Sequence, residues 1–275
     1  MINAVGNRMT REIARQSKLS DQLERIQTQI SGGKKLLRAS DDPGASQRIA
    51  TIGKAQASAK TWAANVKTAT AQVSQADSAL GSVSNLLTRA RELTMTAASA
   101  TTNPADRASI AAELSAIADE IDGFAATRDS NGEPIFATNA KQVRFDADVS
   151  FAPVPSASTA FVVDGNSVST GLRDAAAAIT AGDSAAMGAA LETLSGAISH
   201  IADQRAAMGL SAGRLERIGD SLDLRGITLS DERSAVEDTD LSVAIAELNA
   251  QKLTLDAAQA AFARINRQTL FDILS

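Results

Sequence analysis

Between Val236 and Ser275 the chain repeats in sevens: Leu241, Leu248, Leu255 and Phe262 form one row, and Ala244, Gln251, Ala258 and Ile265 follow three residues behind. A heptad of this kind draws one narrow apolar seam down a helix, and Ile245 sits at its edge. Asp238 and Asp240 precede the run, where negative charge suits a helix N-terminus, and no Gly or Pro interrupts it. A helix of roughly thirty residues is about 45 Å long and has no means of covering its own seam. It requires a partner.

The opening thirty residues carry the matching pattern. Ile2, Met9, Leu23 and Ile30 occupy one heptad row, with Gln16 as its polar member. Val5, Leu19 and Ile26 occupy the second, with Glu12 as the exception. Two such segments at opposite ends of a chain can satisfy each other or the same segments of neighbouring molecules.

The interior extends the pattern. Ser31, Gly32 and Gly33 end the first helix, and Ser40, Asp41, Asp42 and Pro43 start the next, with Asp42 as cap and Pro43 at the first helical position. From there Ile52, Ala59, Val66, Val73, Leu80 and Leu87 recur at sevens. Ala55, Trp62, Ala69, Ala76, Val83 and Ala90 follow three residues on, which predicts a helix to about Ser99 packed closely on another. Asn103 and Pro104 repeat the cap-and-proline device before a shorter helix ending near Gly123 or Ala126. Residues 127–171 break the period. They carry Gly and Pro turns and alternating apolar residues (Val143 and Phe145, Val149 and Phe151), which predicts short strands set at the far end of the helices. Helical spacing resumes in a short helix over Leu172 to Ile179 and a long one carrying Met187, Leu194, Ile201, Met208, Leu215 and Leu222. Gly209, Gly213, Gly219 and Gly226 weaken the second half of that helix, through either close helix contact or built-in pliancy.

The expected fold is therefore mainly α: an elongated antiparallel helical rod or coiled-coil bundle with a small β-rich insertion. Its expected divisions are an assembly helix over 1–40, rod halves over 41–126 and 172–235 flanking the insertion at 127–171, and a second assembly helix over 236–275.

Composition excludes several functions. A net charge of -5 and a pI near 5.1 argue against nucleic-acid binding, which draws on a basic surface. The absence of cysteine removes disulfides, thiolate nucleophiles and Cys-ligated metals. No run of eighteen apolar residues predicts a membrane span, and the N-terminus lacks the pattern of a Sec signal. The single histidine, His200, lies beside a seam residue and is expected to be structural or solvated. Capping accounts for the Asp41/Asp42 and Asp238/Asp240 pairs, and Lys34, Lys35 and Arg38 are expected to form a solvated loop in preference to an anion or partner site. Catalytic, cofactor and metal sites are not expected.

Two stretches carry a resemblance. Gln29, Ile30, Ser31 and Gly32 through Ser40, Asp41, Asp42 and Pro43, together with Val236, Glu237, Asp238, Thr239 and Asp240 ahead of the last heptads, resemble the bacterial flagellin family over nearly the whole chain. Within that family the chain is most similar to the hook-filament junction branch, the FlgL-type hook-associated protein 3. Pro43 stands where filament flagellins usually carry alanine. The run Arg128 through Phe136 resembles the junction proteins' turn into a β domain, and Leu270, Phe271, Asp272, Ile273 and Leu274 resemble their C-terminal ending. Pro134 and Ile135 replace a common Arg-Tyr pair there, and Ala137 and Thr138 replace two glycines.

The resemblance implies a secreted, non-enzymatic structural protein exported by the flagellar type III apparatus. Its terminal segments would order on assembly into a ring or helical layer. The implied partners are copies of itself, another hook-associated protein, flagellin and an export chaperone, with neither nucleic acid nor membrane insertion. The assembly interface would comprise Ile2, Val5, Met9, Leu19, Leu23, Ile26, Ile30, Leu241, Ile245, Leu248, Leu255, Phe262 and Ile265, with Ser40, Asp41, Asp42 and Pro43 setting the joint to the outer helices. A filament flagellin shares this physics at another place in the stack. A helical-hairpin signalling protein is a more distant alternative, with no place for the insertion.

Overall fold

A computed structural model describes the backbone of residues 2–99 and 102–274, and the side chains of 9–99 and 102–264. Its helices are α1 (Ile2–Gly32), α2 (Pro43–Ala97), α3 (Pro104–Ala125), α4 (Ala157–Phe161), α5 (Val168–Ala181), α6 (Ser184–Glu237) and α7 (Leu241–Leu274). Four two-residue strands, β1 (Val143–Arg144), β2 (Ser150–Phe151), β3 (Val162–Val163) and β4 (Asn166–Ser167), form two antiparallel hairpins. The fold is mainly α with a small β component, as the periodicity predicts. Residues 1–57 with 227–275 form one compact unit, and 58–226 form the other.

The larger unit is built on the interior heptads. Leu80, Val83, Leu87 and Ala90 of α2 are fully buried, and Ile201 and Leu215 of α6 are buried with them. Alanine in the second row lets neighbouring helices approach closely, so the small residues contribute by geometry as much as by area. α3 and α5 pack on each other, burying Leu114 and Ile121 against Leu172 and Ile179. Asn103 caps α3 by accepting from the Asp106 N–H, with Pro104 at its start. Arg173 crosses from α5 to Asp119 at 2.9 Å and Asp122 at 2.6 Å. Burial pushes the Asp122 carboxyl upward, but hydrogen bonds from Ser169 and Arg173, with the guanidinium charge, outweigh it and hold the group below its ordinary range.

The insertion lies along α2 and α6, not beyond their ends as the sequence suggests. Asn65 donates to the Arg144 carbonyl at 2.8 Å, Gln75 to the Arg128 carbonyl at 3.1 Å, and Arg225 pairs with Asp146 at 2.9 Å. Four phenylalanines drive this docking. Phe136 and Phe161 meet edge to face at 4.9 Å, Phe145 and Phe151 pack at 4.7 Å, and the Arg214 guanidinium covers Phe151 at 4.0 Å. Two-residue hairpins are too small to bury such rings alone, so they close against the helices. His200 joins the same contact, its Nε2 donating to the Thr159 carbonyl at 3.0 Å. Trp62 is half-buried against this core. Ser156 caps α4, a single helical turn within the stretch expected to hold short strands and turns.

Of the α6 glycines, only Gly219 lies against another element, 3.6 Å from Val66, while Gly209 and Gly226 face open space. Close helix contact therefore does not explain the latter two.

Candidate assembly interface

The smaller unit joins the two ends of the chain. α1 stops at Gly32 because Gly33 adopts φ +67°, a left-handed conformation that glycine takes without penalty. The turn places Lys34 in an antiparallel bridge with Asp238, the residue after α6. Thr239 N donates to the Gly33 carbonyl at 2.9 Å and Lys35 N to the Glu237 carbonyl at 2.8 Å. Backbone groups some two hundred positions apart are thus clasped together.

Side chains reinforce the clasp. Lys34 Nζ reaches Glu237 Oε1 at 2.5 Å, while Arg233 Nε donates to Oε2 at 2.7 Å. The Glu237 side chain is only 13% exposed, so both its oxygens are held by cations at the edge of the fold. Lys34, then Arg233, holds its carboxyl below the ordinary value of 4.5 by hydrogen bonding and charge. Arg233 also reaches Gln56 on α2 at 3.3 Å, and Gln29 of α1 donates to the Lys35 carbonyl at 2.7 Å. Lys34 is therefore not simply a solvated loop residue. Ser31 and Lys34 have the spacing of a serine-lysine nucleophile pair, but this ammonium is committed to Glu237. Gly209 through Gly213 spells a second nucleophile pattern around Ser211. It lies inside α6, where the strand-to-helix turn that gives the pattern its meaning is missing.

The capping residues sort themselves by position. Asp42 Oδ1 accepts from Ala45 N at 2.9 Å and opens α2 with Pro43. Asp41 accepts from Arg38 N at 2.9 Å and faces Arg25 at 3.7 Å, and Ser40 occupies the turn between. Asp240 caps α7 by accepting from Ser242 N at 2.9 Å and Val243 N at 3.2 Å. Asp238 does not cap. It accepts from the Ser234 hydroxyl and belongs to the clasp.

Beyond the clasp α1 and α7 pack together. Ile26 and Ala244 are buried, and Leu19, Leu23, Ile30, Leu248, Leu255 and Phe262 are half-buried. Gln251 Nε2 bonds Gln22 Oε1 across the pair at 2.6 Å. Met9, Leu241 and Ile245 remain exposed, while Ile2, Val5 and Ile265 lie outside the described side chains. A second face was not anticipated: Ile13, Val243 and Leu253 are exposed, Leu253 at 71%. Its signal was present as Val243, Ala246, Ala250, Leu253, Ala257 and Ala260, a row at alternating spacings of three and four that alanine made inconspicuous.

Among the described residues no group of three or more His, Asp or Glu side chains is placed to hold a metal, and no helix is long and apolar enough to cross a membrane.

The sequence matches the bacterial flagellin N-terminal helical region over residues 3–141 and the bacterial flagellin C-terminal helical region over residues 191–274. The chain belongs to the bacterial flagellin family. No curated protein matched the sequence. Solved structures share the fold of this flagellin-family chain. A Vibrio parahaemolyticus protein assigned as flagellar hook-associated is 15% identical, with a TM-score of 0.65 over 72% of this chain and 100% of its own. FlgL of Xanthomonas campestris is 15% identical, with a TM-score of 0.59 over 66% of this chain and 99% of its own. FlgL of Bacillus cereus is 18% identical, with a TM-score of 0.54 over 66% and 98%. Membership makes the protein a structural component of the flagellum, from a non-enzymatic family whose members associate with one another and with other flagellar proteins.

Proposed function

We propose that this flagellin-family protein is the junction adaptor that joins the hook to the filament. The observation that carries the reading is the unfinished burial of the α1 and α7 pair. One seam is shared between the two helices, while Leu241, Ile245, Val243 and Leu253 stay exposed, more apolar surface than an isolated helix pair keeps without a partner. The sequence features that favour the junction role over bulk filament are Pro43, the Arg128–Phe136 turn and the Leu270–Leu274 ending. In this reading segments 1–40 and 236–275 carry axial packing, Ser40 to Pro43 sets the joint, and residues 127–171 make outward or lateral contacts. Another hook-associated protein and flagellin are its neighbours in the stack, and an export chaperone escorts it through the flagellar type III apparatus.

Deletion of the gene tests this, with flagella viewed by electron microscopy and the medium assayed for flagellin. Hooks lacking filaments, with flagellin shed into the medium, are the expected result. Hooks lacking filaments with no shed flagellin would make the protein the filament subunit itself, and intact flagella would overturn the junction role.

A further inference from the structure

We infer that a groove on the 58–226 unit receives the lysine-bearing outer face of α2 from a second copy of this chain. The inference rests on the reading that copies assemble with one another, and adds to it a second surface apart from the terminal helices. The groove, of 540 Å³, opens between the β3–β4 turn, α5 and the first half of α6. Its floor is small and apolar, including Ala178, Ala190 and Ala197, and its lining carries the carboxylates of Asp164, Asp174 and Glu192 with no lysine or arginine among them. None of these three acids has an ion-pair partner among the described residues. An apolar floor without a bulky occupant, walled by uncompensated negative charge, fits a narrow cationic helix face.

The same chain presents such a face. Lys60, Ala64, Lys67, Ala71 and Ser74 lie along the outside of α2 at spacings of three and four, all exposed. The lysines are two turns apart, about 10.5 Å, and point the same way. Neither has an ion-pair partner among the described residues. Alanine and serine between them allow the helix backbone to come close to an alanine floor, while the four-carbon lysine stems reach over it to the rim. Two of the basic residues of α1 are already engaged. Arg25 already faces Asp41, and Arg11 has a partner of its own. Groove and ladder are different surfaces of one molecule, so their pairing is head to tail and adds copies without closing at two.

Sedimentation velocity on the full chain tests this with two charge-reversed variants. Lys60→Glu with Lys67→Glu leaves the groove intact, and Asp174→Lys with Glu192→Lys leaves the ladder intact. The wild type is expected to form oligomers larger than dimers at low ionic strength and to dissociate in high salt. Each variant alone is expected to associate at least tenfold more weakly. Mixed together they are expected to regain oligomers in which the two variants alternate, each groove now facing the opposite charge, and a chain carrying all four changes is expected to regain oligomers alone. Pairing in the mixture also reports that both variants are folded, and the neutral set Lys60→Gln with Lys67→Gln gives the same loss without reversed charge. A wild type that stays monomeric at every concentration, variants that associate like wild type, or a mixture that fails to pair would each overturn the proposal. A monomeric wild type together with hooks lacking filaments in the deletion strain would remove the groove contact alone. Intact flagella in that strain would remove the junction role while the charge variants still read the groove.

Discussion

Glu237 is one carboxylate held by two cations, and its protonation decides whether the clasp between Lys34 and Asp238 keeps its side-chain support. Because its folded value lies below 4.5, the stabilisation is present above that ordinary value and is lost as pH falls through the lower, folded one. Glu237→Gln is accordingly expected to cost about 0.5–1 kcal/mol at pH 7, a modest figure because Lys34 is half exposed, and nothing once wild-type Glu237 is itself protonated. Urea unfolding of both chains at neutral and strongly acid pH checks this, and a gap that persists in acid would mean the carboxylate acts through shape alone. Gly33→Ala forces a side chain into the left-handed region and should cost about 1–2 kcal/mol, with Gly33→Asn milder. The glycine stop was legible locally, but the clasp was not. Lys34 and Lys35 read as loop because their partners lie 203 and 202 positions away, and no spacing rule reaches that far.

At the scale of elements, α2 and α3 were legible to within about two residues at their ends, since Pro43 and Asn103 leave chemical marks, whereas the heptads of α6 showed its core row without its ends. α4 was not legible, because one helical turn has no periodicity to show and Phe161 and Val162 read equally well as strand. The insertion's place along the helices also escaped prediction, since what the helices offer its phenylalanines and loops includes single amide and guanidinium side chains on otherwise ordinary faces. Two kinds of leucine should behave differently. Leu87→Ala, from a fully buried site on α2, is expected to cost about 2–5 kcal/mol in thermal or urea unfolding. Leu253→Ala, from an exposed site on α7, should leave the isolated chain's stability within about 0.5 kcal/mol. Leu248→Asp or Leu255→Asp should leave the 58–226 unit folded and stop filament growth in cells. Normal filaments from either variant would remove the terminal seam from the assembly interface.

For the whole molecule, the division into 1–57 with 227–275 and 58–226 separates a unit with a complete core from one whose apolar faces are only partly covered. A fragment of residues 58–226 is expected to fold alone and unfold in one cooperative step by circular dichroism, since α3, α5, both hairpins and the buried segments Ala59–Ala97 of α2 and Met187–Leu222 of α6 lie within it. A gradual, non-cooperative melt would mean that this core depends on the terminal helices. The clasp has a further consequence in time. Lys34 and Glu237 are 203 residues apart, so at about 5–20 residues per second a ribosome takes about 10–40 s to deliver the second after the first. Throughout that interval α1 exists without α7. The period in which its seam is open to a wrong partner is set by how much chain lies between the two helices, however well they fit once both are made.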